Sequence, residues 1–181
     1  QARHIRDVEE GTVSVDDLLT LMGQAGTPFY RSPNQDSLSG PDGLIAADSV
    51  VLVKVNAQWA ERGGTNTDVL SGVLRCIVEH PDGFVGEIVV ADNGQGYGSL
   101  TRPLNNAVDR SQTVRNVVDR LAHEGWSVSA FLWDNLRLIG VDEYQDGDMR
   151  SGYFVEPNFD ELTSIRVSYP KFVTSLGTFI S

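Results

Sequence analysis

Residues 50–93, VVLVKVNAQWAERGGTNTDVLSGVLRCIVEHPDGFVGEIVVADN, constrain the fold more than any other part of the chain. Two β-branched apolar runs flank one amphipathic helical pattern. Residues 50–55 are almost continuously apolar, as expected of a strand covered on both faces in a parallel sheet. Val69, Leu70, Val73, Leu74, Ile77 and Val78 then recur at helical spacing behind Thr67, a natural N-cap. Pro81 and Gly83 end that helix, and residues 87–91 read as the second strand. Strand, helix and strand in this order make a βαβ unit.

The flanking sequence extends the pattern. Upstream, residues 1–11 predict an irregular lead-in, and Ser14 caps a short helix reaching about Gln24, with Val15, Leu18, Leu19 and Met22 on its apolar face. Residues 26–48 carry Pro28, Pro33, Gly40, Pro41 and Gly43 and read as a long loop. Downstream, residues 92–109 are again loop; Ser111 is the expected cap of a helix bearing Val114, Val117, Val118, Leu121 and Ala122, and Gly125 falls at its C′ position. Residues 126–133 form the third strand. Residues 136–141 fit strand or turn, 142–150 an acidic loop, and 152–155 and 164–168 two further strands, the second broken by Tyr169-Pro170-Lys171. No internal repeat interrupts this order. The expectation is one α/β domain over 49–181 with a mainly parallel, Rossmann-like sheet and helices packed on it, preceded by the helix and loop of 1–48.

Composition narrows the function. With 14 Lys plus Arg against 25 Asp plus Glu, the chain carries a net charge of −11 and no basic stripe, which disfavours nucleic acid and anionic membranes as partners. No apolar run approaches the ~20 residues of a membrane helix. Cys76 is the single cysteine, so this chain alone holds neither a disulfide nor an iron–sulfur cluster. That usage favours a cytoplasmic address and also allows export after cleavage of a signal upstream of Gln1. A start at Gln1 and a stop after FVTSLGTFIS without cap or polar tail read as the ends of a fragment.

Ligands of open α/β sheets bind beyond the carboxyl ends of the strands. Those ends carry Lys54 and Asn56, then Asp92 and Asn93, then Asp134 and Asn135, with Lys171 after the last strand. Each Asp-Asn pair reads equally well as simple turn chemistry. Lys54, at the end of an apolar run, either reaches out to water or finds an anion. Thr65, Asn66 and Thr67 open the best helix, where backbone N–H groups bind anions, although Thr67 by itself is an ordinary cap. Lys54 with this helix start would suit a phosphate or carboxylate, and Asp92 a divalent cation or a hydroxyl. Gly94, Gly96 and Gly98 follow a strand but are spaced GxGxG, and no helix begins at once, so the dinucleotide fingerprint fails. His4, His80 and His123 are too scattered for a metal trio, and Cys76 reads as a packed thiol.

The segments VVLVKVNA, GGTNTDVLSGVLRCIV and GEIVVADNGQG, followed by VSYPKFVTSLGTFIS, resemble the bacterial and archaeal family catalogued as domain of unknown function 362. The resemblance covers residue 50 to the end and implies an α/β domain that continues beyond Ser181, with Pro170 and Lys171 matching the family's Pro-Lys segment. Family members with ferredoxin-like cysteine clusters differ from this chain, which has Cys76 alone. The histidine that often follows the Pro-Lys pair is replaced by Phe172-Val173-Thr174-Ser175.

Two functions follow as expectations. The first is an enzyme acting on a small anionic metabolite, with Lys54 and residues 65–67 holding the anion and Asp92 and Lys171 as metal ligand, acid or base; it requires Lys54, Asp92 and Lys171 to converge. The second is a non-catalytic ligand-binding or accessory module using the same edge, including Asn56 and Asn93, or the acidic 142–148 loop.

Overall fold

The first helix begins where Ser14 and Asp17 close a reciprocal cap. The Asp17 N–H donates to the Ser14 hydroxyl at 3.1 Å and the Ser14 N–H to the Asp17 carboxylate at 3.0 Å. The computed structural model describes residues 14–59, 63–103 and 107–181. The expected lead-in over 1–11, with His4, lies outside the described residues. Helix α1 spans Val15–Gln24, as its pattern predicts. The 26–48 segment is more ordered than its turn residues suggest. It contains β1 (Tyr30–Arg31) and β2 (Ser39–Gly40), paired in parallel. Phe29 and Tyr30 are buried there, and the Tyr30 hydroxyl donates to the Cys76 carbonyl at 2.9 Å, tying this segment into the same core as the rest.

The central unit follows: β3 (Val50–Lys54), α2 (Thr67–Val78), β4 (Glu87–Asp92), α3 (Val114–His123) and β5 (Val128–Leu132). Its strands form a parallel sheet in the order β3-β4-β5, with Val50 opposite Glu87 and Ile88 opposite Val128. Both helix starts lie away from the expected caps. Asn66 rather than Thr67 caps α2, because its side-chain oxygen reaches the N–H groups of Asp68 and Val69 at 2.8 and 3.2 Å. Thr113 rather than Ser111 caps α3, since the Ser111 hydroxyl donates instead to Asp109 at 2.6 Å. Gly125 takes the left-handed position after α3, at φ 95°.

Side-chain alternation decides what each sheet face packs on. Ile88 and Val90 join Leu74, Ile77, Val117 and Leu121 in the core beneath α2 and α3. Val89, pointing the other way, packs with Leu136 and Phe172. Phe172 belongs to a separate, antiparallel sheet of β6 (Gly152–Val155), β7 (Ser168–Val173) and β8 (Phe179–Ile180), and its ring stacks on Phe131 with centroids 4.1 Å apart. The protein is therefore a mixed α/β structure, and the expectation of a mainly parallel sheet holds for its centre only. β4 is buried along its whole length, whereas the edge strand β3 leaves Val50 and Leu52 exposed on the face away from the helices.

β7 corrects the expected break at Tyr169-Pro170-Lys171. Proline lacks an N–H and is tolerated only where the ladder does not need one. Pro170 lies opposite Tyr153, whose own backbone turns away to donate to Ile139 O at 2.7 Å and accept from Val141 N at 3.1 Å. This is a non-hydrogen-bonded pair, and β8 engages only Phe172 and Val173 on the other side. The missing N–H leaves no gap in the ladder. No helix among the described residues is long and apolar enough to cross a membrane.

Candidate functional site

The carboxyl ends of the parallel strands divide into a closed half and an open half. In the closed half, the Asp92 side chain is 1% exposed and fully engaged. One carboxylate oxygen pairs with the Lys54 ammonium; the other accepts from Ala57 N at 3.0 Å and Gly94 N at 3.1 Å. A buried carboxylate is stable only with such partners. Lys54 keeps 49% of its side chain exposed and also donates to the Val55 carbonyl. Asn56 and Thr65 are tied to each other: Asn56 N donates to the Thr65 hydroxyl at 2.8 Å and Thr65 N to Asn56 O at 3.0 Å, while the Asn56 amide donates to Gly63 O at 2.6 Å.

At the start of α2, two N–H groups that an anion would use are held by Asn66, the Asp68 carboxylate accepts from Val108 N at 2.7 Å, and the buried Thr67 hydroxyl accepts from the Gln112 amide at 3.0 Å. This helix start is engaged by the chain itself, and an added anion would meet the charge of Asp68.

The open half begins at Asn93. Gly94, Gln95 and Gly96 run through three successive left-handed conformations, at φ 59°, 48° and 85°. The turn is held by Asp134, two residues beyond β5 in the 3-10 turn Trp133–Leu136, which accepts from Gly96 N through both carboxylate oxygens, at 2.9 and 2.7 Å. A Cβ on Gly94 would stand 2.6 Å from that carboxylate and one on Gly98 2.3 Å from the Gly94 Cα, so the three glycines serve close packing. Beside the turn lies a depression of about 500 Å³, open to solvent and lined by Asn93, Gly96, Asp134, Arg137 and Tyr153 together with the apolar Leu138, Ile139 and Val155. Burial raises the Tyr153 phenol above its ordinary value, and the charges of Asp134 and Asp92 add to that, so the hydroxyl stays protonated at neutral pH. Among the described residues, no hydrogen bond or ion pair engages the Arg137 guanidinium.

Lys171 is not brought to this edge. Phe172 faces the parallel sheet, and Lys171, its neighbour on β7, points to the opposite side. There its fully buried ammonium donates to the carbonyls of Asp142 and Asp148, the latter at 2.6 Å, and lies 4.4 Å from the Tyr144 ring centroid. Lys171 thus clamps the acidic loop. The same loop folds on itself through Asp148, whose carboxyl is held well below the usual carboxylate range by hydrogen bonds from the Arg150 guanidinium and from the backbone of Arg150 and Asp142.

Of the expected residues, the fold therefore joins Lys54 to Asp92 and places Asn93 in the cavity, while Asn56, Thr65, Asn66 and Thr67 build the adjacent loop and helix start. Arg137 and Tyr153 are additions. Arg137 lies three residues beyond Asp134 and could have been reached by following that strand end one turn further. Tyr153 arrives through the antiparallel return of β6, which no local signal announces. His80 is buried with its ring between Ile45 O and Asp82 N, and burial with a hydrogen bond to Asp16 pushes the Cys76 thiol up to about 12. Among the described residues no group of three or more His, Cys, Asp or Glu side chains could hold a metal ion. No family model, curated protein or solved structure matches the chain.

Proposed function

We propose that the chain binds a small anionic metabolite at the carboxyl edge of its parallel sheet, in the cavity beside Asp134. The observation that carries this reading is the unengaged guanidinium of Arg137 on the cavity wall, in a chain where cations are outnumbered. Arginine offers a planar fork of donors matched to carboxylate or phosphate. The Tyr153 hydroxyl adds a neutral donor, and the Asp134 carboxylate, whose charge opposes an anionic group beside it, turns the anion toward Arg137 and would accept from a hydroxyl of the ligand. The strand-helix-strand-helix-strand order of β3 to β5, with both helices on one face, supports a Rossmann-like reading of the central unit. Membership of the domain of unknown function 362 family is proposed on the segments that resemble it. The acidic balance supports a ligand other than nucleic acid.

Thermal shifts of the protein across a panel of small carboxylates and phosphates test the reading. The expected result is a rise with some members of the panel that vanishes in Arg137→Gln; shifts unchanged by Arg137→Gln would sink it. The enzyme that needs Lys54, Asp92 and Lys171 in one place is set aside, because Lys171 points to the far side of β7 and Asp92 is fully engaged. Catalysis as a second reading rests on Lys54 alone, whose half-exposed side chain sits beside a buried aspartate as a proton-transfer group would. It requires turnover that is lost in Lys54→Ala while ligand binding persists. Binding without turnover, weakened by Lys54→Ala, leaves a ligand-binding or accessory module.

A further inference from the structure

Polar and apolar side chains together line the open depression beside Asp134. Leu138, Ile139 and Val155 are the apolar ones and are all exposed, Leu138 to 98%. Leu138 also holds φ at 70°, a left-handed conformation that a leucine adopts at a cost and glycine would adopt freely. An apolar side chain kept in water on strained backbone gains nothing for the fold, and strain of this kind gathers at functional sites. Arg137 immediately precedes it, so an unengaged cation and an exposed apolar patch share one rim.

We propose that the ligand is an amphipathic small anion, an aliphatic carboxylate class, whose charged head meets Arg137 and whose hydrocarbon body lies across Leu138, Ile139 and Val155. This rests on the reading of the same cavity as an anion site and adds the chemistry of the ligand's other end. Arg137 supplies the complementary charge, and the apolar side chains supply affinity that grows with hydrocarbon length. Each fully buried methylene strengthens binding about fourfold, so two such groups suffice for more than tenfold.

The test titrates the 181-residue chain with acetate, butanoate and octanoate, and with inorganic phosphate, following backbone amide shifts by NMR. Octanoate is expected to bind at least ~10-fold tighter than acetate, with shifts centred on residues 134–140 and 153–155. Leu138→Gly suits the backbone and should keep the fold; it is expected to reduce the octanoate-to-acetate ratio to about threefold or less. Leu52→Ser, on the exposed face of β3, should leave the ratio unchanged. Equal binding of acetate, phosphate and octanoate, all lost in Arg137→Gln, overturns the amphipathic ligand and leaves the anion site standing. Chain-length dependence abolished by Leu52→Ser overturns it too, since the hydrocarbon then binds elsewhere. Binding of no anion, or binding indifferent to Arg137→Gln, overturns both readings. A dimer that dissolves in Leu138→Gly, with no response to octanoate, assigns the apolar side chains to a second copy and also overturns the proposal.

Discussion

Asp92 ends β4 and Asp134 follows the adjacent parallel strand β5 by two residues; each is followed by asparagine, and they do opposite work. Asp92 is closed in by Lys54 and two backbone N–H groups, and its role is to hold the ends of β3 and β4 together. Asp134 is half-buried, accepts one N–H, and shares a cavity wall with Arg137 and Tyr153. The same local sequence signature thus yields a structural post at one strand end and a presented carboxylate at the next. What separates them is the surroundings. A lysine from the neighbouring strand reaches Asp92, while only a glycine-rich turn folds over Asp134. Polar strand ends mark an edge where a site can form, and the count of hydrogen bonds each carboxylate already receives tells which end remains open to a ligand.

The contrast is most easily broken by removing the closed carboxylate. Asp92→Ala leaves two buried N–H donors without an acceptor, and each such loss costs about 1–3 kcal/mol. A destabilisation of about 4 kcal/mol is expected in urea unfolding. A loss below 1 kcal/mol would mean that Asp92 is as open as Asp134.

The two lysines repeat the comparison. Lys171→Met strips the carbonyls of Asp142 and Asp148 of their buried donor and should cost about 3 kcal/mol, with faster proteolysis within 142–148. Lys54→Met leaves the buried Asp92 carboxylate with only its two backbone donors and should also cost about 3 kcal/mol, without exposing the acidic loop. Faster proteolysis within 142–148 in Lys54→Met as well would erase the distinction between the clamp on the acidic loop and the lysine at the sheet edge.

Gly94→Ala strikes the turn that joins the two ends. A Cβ there adopts a left-handed conformation and meets the Asp134 carboxylate, which together predict a loss of about 2 kcal/mol. The same variant should weaken anion binding, because Asp134 and Gly96 must shift to admit the methyl group. Unchanged binding would show that the turn merely passes by the cavity.

Much of this was legible in the sequence, for physical reasons that also explain what was hidden. β3, α2, β4 and α3 announce themselves because one period runs unbroken through each, as in Leu70, Leu74, Ile77 and Val78. The cap of α2 fell one residue away because Asn66 and Thr67 are both good caps, and only the reach of the Asn66 side chain to two N–H groups decides between them. β7 was masked by Pro170, whose harmlessness depends on a pairing partner and on the short reach of β8. The edge that carries the site followed from strand order alone. Which of its residues pair with each other did not, since the meeting of Lys54 with Asp92 depends on the parallel register, and the arrival of Tyr153 on a strand about 60 residues further on.

The smallest expected effect distinguishes the two aspartates without unfolding anything. Asp134→Asn keeps an acceptor for Gly96 N and should cost less than about 1 kcal/mol. Its electrostatic effect is felt by Tyr153, which is raised first by burial and then by the charges of Asp134 and Asp92. A nearby negative charge disfavours the phenolate, so removing it lowers the pH at which Tyr153 ionises. Asp134→Asn should therefore bring Tyr153 back toward its ordinary value, and Asp92→Asn should do so less, because Lys54 already offsets the charge of Asp92. The raised value also has a consequence for stability: a phenol whose folded value exceeds its unfolded one contributes stability that is present below the unfolded value and is lost as pH rises through the folded one. Asp134→Asn should reduce that alkaline loss. Ultraviolet difference titration against Tyr153→Phe isolates this one tyrosine from the other four, and a larger shift from Asp92→Asn than from Asp134→Asn would reverse the assignment of open and closed ends.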